Sequence, residues 1–239
     1  MRYSWILIVL ALGLIGCNDT DIIEPEAVLV SPQAQQVFLS GDDIDVVSQF
    51  TDNDELKQYT LTMLITEDPT LAVPDMMAPY TFGQSIGITG AAAIDTAILN
   101  VDRDVCSGVY RLTIQALDRS GNLSMKEERI IRVNNADDQQ APTITLNQPA
   151  GPLTVAPGSP ITVEGQMKDD SQLGGLFCKI IDPPTGAVIN SHVVPFDQLN
   201  QIFDTNFKAP NIAGTYTLRV EAADRVNNRT LREFTLTVN

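Results

Sequence analysis

The sequence contains little of the chemistry from which most catalytic sites are built. Its 239 residues include one histidine, His192, one tryptophan, Trp5, and three cysteines. A Ser-His-Asp triad would have to form around that single histidine, and a zinc site needs more nitrogen or sulfur ligands than this chain offers. We therefore interpret His192 as a structural residue and predict that the protein is not an enzyme.

Basic side chains are also scarce. The chain has 15 lysines and arginines against 30 aspartates and glutamates, which gives a formal net charge of −15 at pH 7. A surface of this sign repels phosphate backbones and anionic lipid headgroups, so nucleic acid is excluded as a partner. Sugar-binding sites usually use aromatic platforms, and the only tryptophan lies near the N-terminus, which weakens a glycan-cleaving or glycan-binding interpretation.

Long apolar runs are absent except at the N-terminus, where Trp5 to Ile15 are uncharged and mostly apolar. This run has about half the roughly 20 residues of a membrane-spanning helix and matches the hydrophobic region of a signal peptide. A buried N-terminal helix is the alternative, but the run shows no 3.6-residue pattern and ends in a small residue. We predict that residues 1–16 are a signal peptide.

The residues Leu14-Ile15-Gly16-Cys17 resemble the lipobox of bacterial lipoproteins. The resemblance implies that Cys17 is lipidated, that residues 17–25 form a tether, and that the membrane is a partner through this lipid anchor. The acid-containing residues 18–21 resemble those of surface-exported Bacteroidota lipoproteins. This implies an outer-membrane location with the protein at the cell surface, the alternative being a periplasm-facing anchor.

The chain repeats itself. At a constant offset of 117, Pro32 corresponds to Pro149, Gly41 to Gly158 and Asp52 to Asp169, and toward the end of each copy the offset becomes 106, so that residues 107–122 match residues 213–228. An internal repeat of this length indicates two copies of one domain. The first copy carries about eleven extra residues in its middle.

Each copy shows the alternation of β-strands. Apolar residues alternate with polar ones from Tyr110 to Ala116 and again from Tyr216 to Ala222, which gives each strand one buried face. Short strands with regular turns and no long helical pattern predict an all-β protein of two antiparallel sandwiches. We place them at residues 26–134 and 142–239, with a polar linker at 135–141.

The segments Gly108-Val109-Tyr110 and Gly214-Thr215-Tyr216 resemble the start of the penultimate strand in immunoglobulin-like domains. The resemblance implies that Tyr110 and Tyr216 form tyrosine corners. The whole pattern resembles tandem immunoglobulin-like domains of Bacteroidota surface lipoproteins, which are functionally uncharacterised. The cysteine pair and the strand-C tryptophan of antibody domains are absent.

Two cysteines remain after Cys17. Cys106 occupies the repeat position of Ile212, and Cys178 occupies that of Leu61, so each replaces a branched aliphatic residue. We interpret both as buried structural thiols. A disulfide is the alternative in an exported protein, but it would have to join the cores of two different domains.

Acidic residues are abundant in the sequence, and their carboxylates could bind a cation. Asp102-Arg103-Asp104 and the linker residues Asp137 and Asp138 resemble the acidic motifs with which cadherin domains hold calcium at their junctions. The resemblance implies calcium at Asp102, Asp104, Asp137 and Asp138, and no other cofactor is predicted. The alternative is that these acids are solvated turn residues.

These observations predict a non-catalytic lipoprotein that acts as a binding, adhesion or spacer module at the cell surface. The alternative is an accessory lipoprotein that captures a protein, peptide or glycan ligand for a nutrient-uptake system. The variable middle segments, 66–106 and 182–212, are the candidate recognition loops. Within them, the apolar segment 72–80 is either a contact patch or a cover for the sandwich edge.

Overall fold

The computed structural model describes residues 21–68, 73 and 75–239, and these contain sixteen β-strands and no α-helix. The predicted signal peptide and Cys17 lie outside the described residues. The prediction of an all-β protein is confirmed. The strands are β1 (Glu26–Ser31), β2 (Val37–Leu39), β3 (Asp43–Thr51), β4 (Leu56–Ile65), β5 (Thr81–Gly87), β6 (Ala92–Asn100), β7 (Gly108–Asp118), β8 (Glu127–Asn134), β9 (Thr143–Gln148), β10 (Leu153–Val155), β11 (Pro160–Lys168), β12 (Leu173–Ile181), β13 (Val188–Pro195), β14 (Asn200–Lys208), β15 (Gly214–Asp224) and β16 (Arg229–Val238).

The strands form four sheets in two identical pairs. In the first sandwich a three-stranded sheet, β1-β3-β6, faces a five-stranded sheet, β2-β8-β7-β4-β5. The second sandwich repeats this order with β9-β11-β14 and β10-β16-β15-β12-β13. The short strands β2 and β10 pair in parallel with β8 and β16, and every other pairing is antiparallel. The predicted tandem repeat is therefore present strand for strand.

The alternating pattern of the sequence builds a separate core in each sandwich. In β7, for example, Tyr110, Leu112 and Ile114 are fully buried, whereas the residues between them face outward. The equivalent Leu218 and Val220 of β15 are buried in the second core. Each strand thus contributes every second side chain to the space between its two sheets, as a period of two requires.

Both five-stranded sheets contain an irregularity at the same place. The pairing of β4 with β7 shifts between Leu56 and Gln58, and that of β12 with β15 shifts between Leu173 and Gly175. These shifts occur where the strands meet the turns at Asp118 and Asp224. Among the described residues there is also no helix long and apolar enough to cross a membrane.

Candidate functional sites at the edges of the two sandwiches

The two predicted corner tyrosines make the same hydrogen bond. The hydroxyl of Tyr110 donates to the carbonyl oxygen of Cys106 at 3.0 Å, and the hydroxyl of Tyr216 donates to that of Ile212 at 3.0 Å. In each case the acceptor lies four residues upstream in the chain. The bond fixes the loop before β7 and before β15, and in the first sandwich this loop faces the second sandwich.

Both remaining cysteines are buried and free. Cys178 belongs to the second core, and Cys106 lies beneath Tyr110, with 3.9 Å between its sulfur and the tyrosine hydroxyl. Burial raises the pKa of Cys106 to about 11 and that of Cys178 to about 12. Because the thiolate is the reactive form, neither residue has the environment of a nucleophile or a metal ligand.

His192 lies in β13 and contacts the facing sheet of its own sandwich. Its Nε2 is 2.8 Å from the hydroxyl of Thr205, and its ring stacks on Phe207 with 6.1 Å between the ring centres. These contacts link β13 to β14 at the open edge of the sandwich. The histidine thus has a structural environment, and among the described residues it joins no cluster with acids or cysteines.

The structure separates the four residues that the sequence indicated as a calcium site. Asp137 forms an ion pair with Arg103, with 2.6 Å between Oδ1 and Nη2, and this guanidinium lowers the pKa of the Asp137 carboxyl. Asp102 and Asp104 line a shallow groove beside Tyr80 instead. Only Asp138 joins a group of acids, and that group contains none of the other three.

Asp138 of the linker meets two aspartates of the second sandwich. Asp169 follows β11 and Asp224 ends β15, and one carboxylate oxygen from each of the three lies within 4.8 Å of the others. Asp224 is fully buried, and Asn228 donates to it from both its backbone and its side chain, at 2.8 Å each. The Asn228 amide also donates to the carbonyl oxygen of Asp138 at 3.0 Å, which attaches the linker to the sandwich. We call this group the junction triad.

The first sandwich contains an equivalent group. Asp21, Asp52 and Asp118 also bring one carboxylate oxygen each to within 4.8 Å of one another. Asn122 donates to the Asp118 carboxylate at 2.7 Å and to the carbonyl oxygen of Asp21 at 3.1 Å, as Asn228 does in the second sandwich. Asn53 donates to the Asp21 carboxylate at 3.0 Å. We call this group the N-terminal triad.

Several carboxylate oxygens in the two triads are buried without a partner. Both oxygens of Asp52 and one oxygen each of Asp21 and Asp138 are inaccessible to solvent and accept no hydrogen bond from the described chain. No lysine or arginine among the described residues forms an ion pair with any of the six aspartates. Buried acceptors of this kind are rare because each one loses its hydration without compensation.

The two triads differ in their electrostatics. Burial, together with the charges of Asp138 and Asp169, raises the pKa of Asp224 to about 7, and burial also raises the pKa of Asp169. In the N-terminal triad burial opposes the charge of Asp118, but hydrogen bonds from Asn122 and Gly121 outweigh it and lower the pKa of that carboxyl. The junction triad therefore carries more uncompensated repulsion.

The triads were missed in the sequence although the repeat register contains them. The offset of 117 relates Asp52 to Asp169 and also Asp21 to Asp138, and the offset of 106 relates Asp118 to Asp224. Asp138 was predicted as a calcium ligand and Asp52 was related to Asp169 by the register, but Asp21, Asp118 and Asp224 were connected with neither. The signal that could have identified the two triads is the presence of aspartate at all three of these positions in both copies of the domain.

The apolar segment that begins near Val73 packs against the second sandwich. Val73 and Met76 are buried against Phe177 of β12 and Ala223 of β15. The backbone N–H of Met77 donates to the carbonyl oxygen of Arg225 at 2.9 Å, and Ser107 of the first sandwich donates to that of Val226 at 2.6 Å. The segment therefore packs on the second sandwich of the same chain.

Charged side chains extend this contact. Glu67 of the first sandwich forms ion pairs with Lys179 and Arg229 of the second, and Arg229 also pairs with the buried Glu221 at 2.5 Å. Arg229 lies over the ring of Phe177, 4.6 Å from its centre. Although burial opposes its charge, the contact with Lys179 lowers the pKa of Glu67, so this residue is ionised at neutral pH.

A polar cleft of about 340 Å³ lies between the two sandwiches at this contact. It is bordered by the ends of β7 and β8, by the linker and by the turn before β16. Most of its lining residues have polar side chains and none is aromatic: Thr66, Glu67, Ser107, Gly108, Val109, Arg132, Asn134, Gln139, Ala141, Asn227, Asn228 and Arg229.

Comparison with known families finds a similarity in the first part of the chain. Residues 16–133 match the family model described as a domain of unknown function, DUF4625. The match includes the N-terminal triad and every strand of the first sandwich except the last residue of β8. No curated protein is significantly similar to the chain.

Three of the solved structures to which the chain is similar are described as modules or tandem repeats. The fibronectin(III)-like modules of CbhA from Clostridium thermocellum are 16% identical with a TM-score of 0.34, over 90% of this chain and 94% of theirs. A chimeric titin Z1Z2-Z1Z2 tandem is 16% identical with a TM-score of 0.39, over 90% of this chain and 100% of that one. A tetra-tandem repeat from the extending region of a large adhesion protein is 13% identical with a TM-score of 0.37, over 90% and 49%. These likenesses concern the fold alone.

Proposed function

We propose that the protein is a non-catalytic lipoprotein of the outer membrane whose two sandwiches act as one rigid module for binding, adhesion or spacing at the cell surface. The observation that carries this proposal is the contact between the sandwiches. A flexible two-domain chain would leave its linker solvated, whereas here Asn135 is fully buried and donates to the carbonyl oxygen of Val105 at 2.9 Å.

The chemistry of the described residues supports a role without catalysis. Both thiols are buried with raised pKa values, and the single histidine contacts a threonine and a phenylalanine. A nucleophile with an adjacent base is therefore not assembled from these residues. A rigid sandwich of this kind can present its loops at a defined distance from its attachment point.

Small-angle X-ray scattering tests the rigid-module proposal. A chain of residues 18–239 contains all sixteen strands and both cores, and we expect a single maximum dimension that fits one fixed arrangement of the sandwiches. Phe177→Ala removes the ring under the contact segment and is expected to broaden the distance distribution. Thr60→Ala at the equivalent position of the first sandwich serves as the matched control. A wild-type profile that requires many domain arrangements would contradict the proposal.

Lipid attachment is tested separately in cells. In a bacterium that processes lipoproteins, metabolic labelling with a palmitate analogue is expected to mark the full chain and to fail for Cys17→Ser. Protease treatment of intact cells then distinguishes the surface from the periplasmic face. Persistent labelling of Cys17→Ser would contradict the anchor without affecting the rigid-module proposal.

Ligand capture is the second candidate function, and the polar cleft at the junction favours it. Two arginines, Arg132 and Arg229, and several amide side chains border a space of about 340 Å³, which suits a peptide or glycan fragment rather than an apolar molecule. Glycan and peptide arrays with residues 18–239 test this function. Specific micromolar binding that is lost in Arg132→Ala would replace the pure spacer role, and the absence of any such ligand would leave the spacer role.

A further inference from the structure

The two triads share features that acidic surface clusters lack. In each, one aspartate is almost fully buried, Asp118 with 1% of its surface exposed and Asp224 with 0%. In each, at least one buried carboxylate oxygen accepts no hydrogen bond from the described chain: both oxygens of Asp52 and one of Asp21 in the N-terminal triad, and one of Asp138 in the junction triad. Three carboxylates in this geometry repel one another, and the repulsion is removed only by protons or by a cation between them.

The duplication of the site is an independent observation. The two copies of the domain have diverged at most surface positions, yet all three aspartates and the asparagine that supports them occur in both. Asn122 and Asn228 make the same pair of hydrogen bonds, one to the buried carboxylate and one to the backbone of the segment that enters the sandwich. If each group were only a solvated turn, there would be no reason for the segment that enters the sandwich to supply a third aspartate with an unpartnered carboxylate oxygen.

The donor set selects the class of ion. All the converging groups are carboxylate oxygens, and no nitrogen or sulfur ligand belongs to either group. Hard oxygen ligands of this kind suit calcium, which accepts irregular arrangements of carboxylates, carbonyls and water. Zinc would require histidine or cysteine at such a site.

We propose that each triad binds one Ca²⁺ ion, so that the chain carries two equivalent calcium sites. The junction site joins the linker, through Asp138, to the second sandwich. The N-terminal site joins the segment that precedes β1, through Asp21, to the first sandwich. Calcium thus holds the chain at its two entry points, and neither site depends on lipid attachment or on a captured ligand.

The N-terminal site has a consequence for the predicted tether. Asp21 lies only four positions after Cys17 in the sequence, so a clamped Asp21 leaves three residues between it and the predicted lipid-bearing cysteine. With a lipid on Cys17, these three residues would separate the first sandwich from the membrane, in place of the predicted tether of residues 17–25.

Equilibrium dialysis with residues 18–239 and measurement of bound metal test the proposal. We expect two calcium ions per chain at 1 mM calcium, and one in each of Asp52→Asn and Asp169→Asn. Asp54→Asn and Asp170→Asn remove the same charge from exposed neighbours and are expected to keep two. Far-UV circular dichroism confirms that each variant is folded, and the intact second site in each single variant is an internal control.

One variant tests each triad separately. Unchanged stoichiometry in Asp52→Asn would overturn the N-terminal site, and unchanged stoichiometry in Asp169→Asn would overturn the junction site. A wild-type chain that binds no calcium would overturn both. Equal binding of magnesium at the same concentration would overturn the assignment of calcium.

Discussion

The outer faces of the two five-stranded sheets correspond through the repeat register but carry different side chains at four neighbouring positions. The outer face of the first sandwich carries the exposed Thr60 and the half-buried Thr62, Thr113 and Gln115. At the equivalent positions the second sandwich has Phe177, Lys179, Arg219 and Glu221, and Glu67 and the segment that includes Val73 and Met76 pack on them. The interior pattern of a sandwich is thus retained after duplication, while its outer face is free to become an interface.

Glycine shows the same difference at the irregular start of the sheet. Lys57 and Gln58 of β4 correspond to Gly174 and Gly175 of β12. A Cβ atom at Gly174 would lie 2.6 Å from the carbonyl oxygen of Asp224 and 3.1 Å from the sulfur of Met76, and one at Gly175 would lie 3.1 Å from Val73. The contact segment can therefore pack on the second sandwich because Gly174 and Gly175 have no side chains to block it.

The largest expected effect comes from the ring at the centre of this interface. Phe177→Ala removes a buried side chain from beneath Val73 and Met76, and we expect the free energy of unfolding to fall by about 3 kcal/mol. Thr60→Ala at the equivalent exposed position is expected to change it by less than ~0.5 kcal/mol. Urea unfolding measures both, and equal effects would mean that the two faces do not differ in their contribution.

The second prediction concerns pH and the junction triad. The pKa of Asp224 is raised to about 7 in the folded protein, so between about pH 4 and pH 7 the folded state binds more protons than the unfolded state. Its contribution to stability is present at low pH and is lost as pH rises through the folded pKa. In a chelator we expect a loss of roughly 2 to 3 kcal/mol between pH 5 and pH 8.

Asparagine variants identify the source of that loss. Asp224→Asn cannot titrate and is expected to remove the dependence between pH 5 and pH 8, which thermal melting in chelator detects. Asp118→Asn is expected to keep it, because the pKa of Asp118 is lowered and its contribution is lost only as pH falls through that lower value. If the pH dependence disappeared in Asp118→Asn instead, its source would be the N-terminal triad and the prediction would be wrong.

The third prediction tests the glycine difference. Gly174→Ala places a methyl group against the Asp224 carbonyl and Met76, and we expect it to destabilise the protein by about 2 kcal/mol through overpacking. Lys57→Ala, the matched change in the first sandwich, is expected to stay within ~0.5 kcal/mol. Urea unfolding measures both variants, and an equally small change in the free energy of unfolding for Gly174→Ala and Lys57→Ala would contradict the prediction.

The smallest effect is expected at a residue that the sequence singled out. Asp137 is exposed and pairs with the exposed Arg103, and such pairs contribute little to stability. Asp137→Asn is therefore expected to leave both the melting temperature and the calcium stoichiometry unchanged, whereas Asp138→Asn, one residue later, lowers the stoichiometry by one. If Asp137→Asn bound one calcium ion fewer, Asp137 would be a calcium ligand, as the sequence predicted.

The fold could be predicted from the sequence because its signals are local. The alternation from Tyr110 to Ala116, the turn after Asp118 and the repeat offsets required no knowledge of distant contacts. The binding groups could not be predicted in the same way, because Asp21, Asp52 and Asp118 come from three separate parts of the chain. Neighbouring acids such as Asp137 and Asp138 look alike in sequence, and only packing directs one to Arg103 and the other to Asp169 and Asp224.

The sequence by itself determined the all-β class, the duplication and the lipobox-like segment around Cys17. These follow from the period of the apolar residues, from the register and from composition. Only the tertiary structure decided that the apolar segment at Val73 and Met76 covers the second sandwich, and that six aspartates form two matching triads. The physical reason is distance along the chain: Arg225 donates to the carbonyl oxygen of Asp75, 150 residues earlier, and no local pattern encodes a contact of that span.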